Sequence, residues 1–228
     1  MLNHKPYALN PTFLRYTISI MLDSSSLLTI VVFIAILFVS VSFHEMMHAF
    51  TAHMLGDDLA HAHGRISLNP MRHIDPMLTI ALPAVMLLMG MSPILAAKPV
   101  PINTNRISGD ELGLAVVGLA GPLTNLVLAS IGAIALNIFM PTQSLGQDIV
   151  QLFVELNVSL FVFNMIPLPP LDGSRLLYAV APRPVQRFME QIEQMGIFVV
   201  IMFLFILLPV ISPVLISVND TILNFLIR

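Results

Sequence analysis

The chain predicts an all-α, polytopic membrane protein, and three observations carry that prediction. Hydrophobic residues fill 57% of its 228 positions, while Asp, Glu, Lys and Arg together fill 10%, against about 25% in an ordinary soluble domain. The mean hydropathy is +0.89. The apolar residues are gathered into runs that approach or exceed the roughly 20 residues a bilayer-crossing helix needs. Together these predict a bundle of about four to six transmembrane helices, forming one membrane-embedded domain over residues 1–228. No sizeable soluble domain fits beside it.

The elements follow in order. The start, "MLNHKPYALNPTFLRYTISIML", lacks a compact basic region, an unbroken apolar core and a small-residue cleavage site, so it reads as a retained interfacial segment rather than a signal peptide. Residues 26–50 are the first span, with His44 to His48 in its last turns. Residues 51–76 are polar, with Asp57, Asp58, Arg65, Arg72, Asp75 and four histidines. Residues 77–95 are apolar but interrupted by Pro83, Gly90 and Pro93, and suit either a re-entrant hairpin or a span. A polar, proline-containing loop leads to apolar helices at 112–140 and 148–166. "PLPPLDGSRLL" is too rich in proline to continue the second of these, which predicts a broken helix at 164–173. Arg183, Arg187, Glu190 and Glu193 fall at helical spacing, and the apolar 196–211 and 213–227, separated around Pro209 and Pro213, read as one broken span or a hairpin.

The charge balance excludes some functions. A net charge of −3 and a pI near 6.1 give no footprint for nucleic acid. With no cysteine there are neither disulfides nor thiolate metal sites, so a metal must be held by His, Asp, Glu or backbone oxygen. The 15 methionines read as lipid-facing or gap-filling.

The chemistry is concentrated in "HEMMH", residues 44–48. Positions i and i+4 of a helix share a face, so His44 and His48 can present two imidazoles to one ion. Glu45 projects close enough to reach a water on that ion. This is the zinc-protease arrangement, with two His ligands and a Glu as general base. The bland alternative is three polar residues facing headgroups, but ionisable residues embedded in an apolar helix are costly and generally functional. A catalytic zinc takes a third protein ligand. Most downstream acidic groups and histidines sit in polar loops, where solvation is the default. Asp172 differs, because it follows an apolar span at a proline break, and irregular backbone at membrane depth persists only where it lines a cavity. Asn164, just before the break, can donate a hydrogen bond to a developing oxyanion. His53 reads as an interfacial residue, and His61, His63 and His73 as solvated loop residues rather than a second metal site. Gly121-Pro122 reads as a kink or a close helix contact.

In order along the chain, "HEMMH" (44–48), "GRISLNP" with "HIDP" (64–76), "AKPVPIN" (97–103), "GPLTN" (121–125) and "NMIPLPPLDG" (164–173) resemble the site-2 protease family of intramembrane zinc metalloproteases (peptidase family M50), in its compact branch without PDZ or CBS domains. The resemblance implies one catalytic Zn2+ held by His44, His48 and Asp172, with Glu45 as general base. It also implies that Asn164 binds substrate or stabilises the oxyanion, and that Asn125 helps shape the site. The implied activity is an endopeptidase acting on transmembrane segments of other membrane proteins, at or just inside the bilayer surface. A divalent-metal transporter and a non-catalytic membrane adaptor are the competing readings, and Glu155 is the alternative third ligand inside a span.

The ligands constrain topology. His44–His48 and Asp172 both lie at C-terminal helix ends, so their two helices should run parallel. Because 112–140 crosses once, 77–95 should re-enter rather than cross. Residues 51–111 and 167–195 then share one side with Arg65, Arg72, Lys98, Arg106, Arg175, Arg183 and Arg187. By the positive-inside rule that side is cytoplasmic, in what is expected to be a prokaryotic plasma membrane.

Overall fold

A computed structural model describes residues 26–75, 98–139 and 144–227. The N-terminal segment expected at the interface and the segment 77–95 expected to re-enter lie outside these described residues. The described residues contain seven α-helices and no strand. They are α1 (Ser26–Met54), α2 (Leu59–Ala62), α3 (Asp110–Phe139), α4 (Leu145–Asn164), α5 (Gly173–Val180), α6 (Arg183–Gln194) and α7 (Ile197–Leu226), with single 3-10 turns at Pro70–Arg72 and Thr104–Arg106. Four of them, α1, α3, α4 and α7, are long and apolar enough to cross a membrane. The protein is an all-α, polytopic membrane protein.

α1 has 29 residues, roughly 43 Å at ~1.5 Å per residue. That exceeds the ~30 Å hydrocarbon thickness, so its last turns can reach the headgroup level with their histidines. α3 is the central post, packing on α1, α4 and α5. Asp110 and Glu111 stand in its first turn, where negative charge complements the helix dipole. Val116, Leu123, Val127, Ile131, Ile134 and Ile138 stay exposed along α3 and form its lipid-facing stripe. Its other face carries small residues, and Ala129 and Ala133 pack on Val154, Val158 and Val162 of α4. Small side chains let membrane helices approach closely where no hydrophobic drive exists between them. α4 begins at Ser144, whose Oγ accepts from the Gln147 N–H at 3.1 Å, a side-chain N-cap.

Contacts at different depths set the directions. His48 meets Val117 and His44 meets Asn125, so α3 runs antiparallel to α1. Asn125 meets Asn157, while a Cβ on Gly132 would touch Val154, so α3 is also antiparallel to α4. α1 and α4 are therefore parallel, as the ligand positions require. Leu226 accepts from Asn137 near the C-terminal end of α3, so α7 ends on the side opposite to the histidines.

α7 is one continuous helix of 30 residues containing Pro209 and Pro213. The split expected at those prolines does not occur. Pro213 has no N–H to offer the Pro209 carbonyl, but the Ser212 hydroxyl donates to that carbonyl at 3.2 Å. Satisfying the freed group locally is how membrane helices tolerate proline. The break at 164–173 is present, with α4 ending at Asn164 and α5 starting at Gly173.

The loops around α2 gather on the histidine side. Asp57 is fully buried. One of its carboxylate oxygens accepts from the Leu59 N–H at 3.0 Å and the other from the Asn103 N–H at 2.6 Å. The Lys98 N–H donates to the His73 carbonyl at 2.8 Å. The buried Arg65 guanidinium donates to the carbonyls of Arg72 and Pro99. Asn69 and Asn103 each accept from the amide two residues on, the Asx turns that start the two 3-10 turns.

Candidate metal centre

Three ligand atoms converge where α1, α3 and the 164–173 break meet. His44 Nε2 lies 3.0 Å from His48 Nε2 and 3.0 Å from Asp172 Oδ2, and His48 Nε2 lies 3.2 Å from the same oxygen. Both histidines are buried and Asp172 is half-buried. The i, i+4 spacing on α1 stacks the two imidazoles edge to face, with centroids 4.7 Å apart. Asp172 arrives from another part of the chain because the prolines end α4 and turn the backbone back toward α1.

What lies behind the imidazoles fixes their chemistry. His48 Nδ1 is 2.7 Å from the Val117 carbonyl, which can only accept, so Nδ1 carries the proton and Nε2 in the neutral ring is a bare lone pair. His44 Nδ1 is 2.6 Å from Asn125 Oδ1. The Asn125 amide faces that way because its Nδ2 donates to Asn157 Oδ1 at 2.9 Å. Asn157 Nδ2 in turn donates to Ser40 Oγ and to the Phe153 carbonyl, each at 2.9 Å. Asn125, Asn157 and Ser40 are fully buried. The result is a directed chain of hydrogen bonds through three helices that holds the His44 proton on Nδ1. Such partners behind metal-binding histidines set tautomer and orientation.

Two lone pairs and a carboxylate oxygen thus face one another with no hydrogen between them, an arrangement that a cation at their centre reconciles. The N,N,O donor set is one that zinc takes in catalytic sites. Space is kept for it by Gly121, where a Cβ would lie 2.6 Å from His44 Nε2 and closer still to His48 Nε2. At Gly118 a Cβ would crowd the Asp172 carbonyl at 3.1 Å, so the same α3 face admits the Asp172 turn. Pro122 beside them is buried and contained in an unbroken α3.

Glu45, on the next position of α1, is half-buried and stands about one helical turn before His48. Asn164 closes α4, and its Nδ2 donates back to the Leu160 carbonyl at 2.9 Å. Glu155 accepts from Gln151 at 2.8 Å and is not among the converging groups. His63 and His73 are each engaged with a backbone carbonyl, of Leu59 and Ser67.

Comparison with known proteins identifies the family. The family model of Peptidase family M50 matches residues 141–208, the stretch that carries Asn164 and Asp172. "Putative zinc metalloprotease YwhC" of Bacillus subtilis is 38% identical over 178 residues, covering 75% of this chain and 78% of that protein. The chain belongs to peptidase family M50, the site-2 protease family. Within M50, "Putative zinc metalloprotease Rip2" of Mycolicibacterium smegmatis is 30% identical over 166 residues, 72% of this chain and 63% of its own length. "Putative zinc metalloprotease MJ0611" of Methanocaldococcus jannaschii is 39% identical over 83 residues, 36% of this chain and 42% of that one. No solved structure matches. This M50 chain is an integral membrane zinc metalloprotease, and the relatives' names agree with the donor set on the metal.

The sequence reading missed Asn157 and Ser40, and it gave Asn125 only a general shaping role. Polar residues in the middle of an apolar span were the available signal, since they need internal partners in lipid.

Proposed function

We propose that the protein is an intramembrane endopeptidase that hydrolyses peptide bonds in or near transmembrane segments of other membrane proteins, the chemistry of regulated intramembrane proteolysis. The observation that carries this reading is the His44–His48–Asp172 convergence at the end of a membrane-length helix, with Glu45 alongside. In this reading His44, His48 and Asp172 hold the zinc. When bound, zinc supplies Lewis acidity and lowers the pKa of water toward ~7. Glu45 takes the proton of the attacking water and returns it to the leaving amine. The Asn125–Asn157–Ser40 chain and the Val117 carbonyl keep both imidazoles in register through that cycle. Asn164 binds the substrate backbone or the oxyanion through the second N–H of its amide, the first being held by the Leu160 carbonyl.

The substrate must expose a carbonyl that a helix hides in internal hydrogen bonds, so helix-weakening residues in the substrate favour cutting. Arg65, Arg72, Lys98, Arg106, Arg175, Arg183 and Arg187 support a cytoplasmic location for the metal side in a prokaryotic plasma membrane. The test is cleavage of tagged single-span substrates by purified protein in liposomes, beside Glu45→Gln, with zinc measured on both. The mutant should keep its zinc and lose about 10²–10⁴-fold in rate, the usual scale for a general base. Cleavage by Glu45→Gln at the wild-type rate would remove the base role.

A further inference from the structure

Beyond the catalytic set, the water end of α1 carries a second group of ligand-type side chains that peptide hydrolysis does not use. His53 lies in the last turn of α1, Asp58 precedes α2, and His61 lies on α2. Gly56, at φ +103, reverses the chain between them and folds α2 back toward the α1 terminus. His53 Nδ1 is 2.6 Å from Asp58 Oδ1. The His53 and His61 rings are 4.7 Å apart, tilted by 40°. One ligand atom from each of the three residues lies within 4.8 Å of the others.

From this geometry we infer that His53, Asp58 and His61 form a second metal site, for a late first-row divalent ion such as Zn2+ or Cu2+. The neighbouring residues show why these three are available. Asp57 turns inward and spends both oxygens on backbone amides, while Asp58 turns outward and makes no capping hydrogen bond. Of the four histidines in this polar region, His63 and His73 have a ring nitrogen on a backbone carbonyl. His53 and His61 instead flank a carboxylate. An exposed His–Asp ion pair is worth little by itself and gives His61 no part, whereas two imidazoles and a carboxylate suit ions at the strong-binding end of the first-row series.

The site differs in kind from the catalytic one. His53 is half-buried and Asp58 and His61 are exposed, whereas His44 and His48 are buried, so water competes for the ion and for its ligands. An ion here is therefore weaker-held and exchangeable. It would bridge α1 to α2 across the turn that contains Asp57, the residue anchoring Asn103. Occupancy thus stiffens the loop layer on the catalytic side in response to free metal.

The experiment is equilibrium dialysis of the full chain in detergent against buffered free Zn2+, with zinc per protein read by elemental analysis and unfolding midpoint followed in parallel. Wild type should rise from one tightly held equivalent to two, and the midpoint should rise with the second. His61→Ala and Asp58→Asn should each stop at one equivalent with no rise in midpoint. His63→Ala should still reach two. Saturation of wild type at one equivalent would overturn the inference. So would a second equivalent that survives His61→Ala and Asp58→Asn, or one that is lost equally in His63→Ala. The readout does not depend on peptidase activity.

Discussion

Gly121→Ala should disable the metal centre while leaving the helix bundle folded. The new Cβ would sit 2.6 Å from His44 Nε2 and 2.7 Å from His44 Cε1, and closer to His48 Nε2, where ordinary contact begins at 3.4 Å. His44 must then retreat by about 0.8 Å, the difference between 3.4 and 2.6 Å, which is roughly four times the ±0.2 Å tolerance of a metal–ligand distance. The ring cannot slide freely, because its Nδ1 is tied to Asn125 at 2.6 Å. His48 is tied to Val117 of the same helix that carries the methyl group. A displacement of about 1 Å at a reacting group costs on the order of 10²-fold in rate, and weakened zinc binding adds to that. Local propensity runs the other way, since Ala in a helix interior is favoured over Gly by about 1 kcal/mol. The assay pairs zinc content and substrate cleavage with far-UV circular dichroism on the same preparation. The expected outcome is a helical, zinc-poor protein with cleavage reduced by about 10²-fold or more. A Gly121→Ala protein with full zinc and wild-type cleavage would refute the claim that this glycine keeps the ligand space open.

Two further substitutions test parts of the structure outside the ligands. Asn157→Leu removes the middle of the buried amide chain without touching the metal centre, and should weaken zinc affinity or activity by about 10–100-fold, the scale for partners behind a ligand. Wild-type zinc affinity in a zinc-competition titration would show that the chain does not orient His44. Asp57→Ala removes the partner of the Leu59 and Asn103 amides at part-buried positions, at about 0.5–1.5 kcal/mol each. It should lower the thermal unfolding midpoint clearly while Asp58→Asn, measured without added metal, does not. Equal midpoints for the Asp57→Ala and wild-type proteins would contradict the anchoring role.

What the sequence made legible was what local rules govern. The i, i+4 pair needs only a helix to become a shared face, and the prolines between Asn164 and Asp172 need only their missing N–H groups to end one. The spans at α1, α3 and α4 followed from run length, with ends a few residues off. The prolines of α7 misled because the compensating group, the Ser212 hydroxyl, is a polar residue whose role appears only once its rotamer is known. Asn157 and Ser40 are 117 residues apart in sequence, and nothing along the chain ties them together. Gly121 read as a kink or packing point, since what a glycine makes room for depends on the element facing it. The second histidine cluster was hidden for a similar reason. His53 and His61 belong to different elements, and only the reversal at Gly56 brings them to one carboxylate.

The chain of amides from His44 to Ser40 also constrains how a substrate can arrive. It stitches α1, α3 and α4 together inside the bilayer, where broken hydrogen bonds find no water to replace them. Prising these helices apart would break the His44–Asn125, Asn125–Asn157 and Asn157–Ser40 links, at about 1–2 kcal/mol for each in lipid. On the proposed reading, a transmembrane substrate coming sideways through the lipid has three closed seams before it. It must travel around the stitched trio to reach the histidines, and whatever part of the protein yields to admit it lies outside those seams.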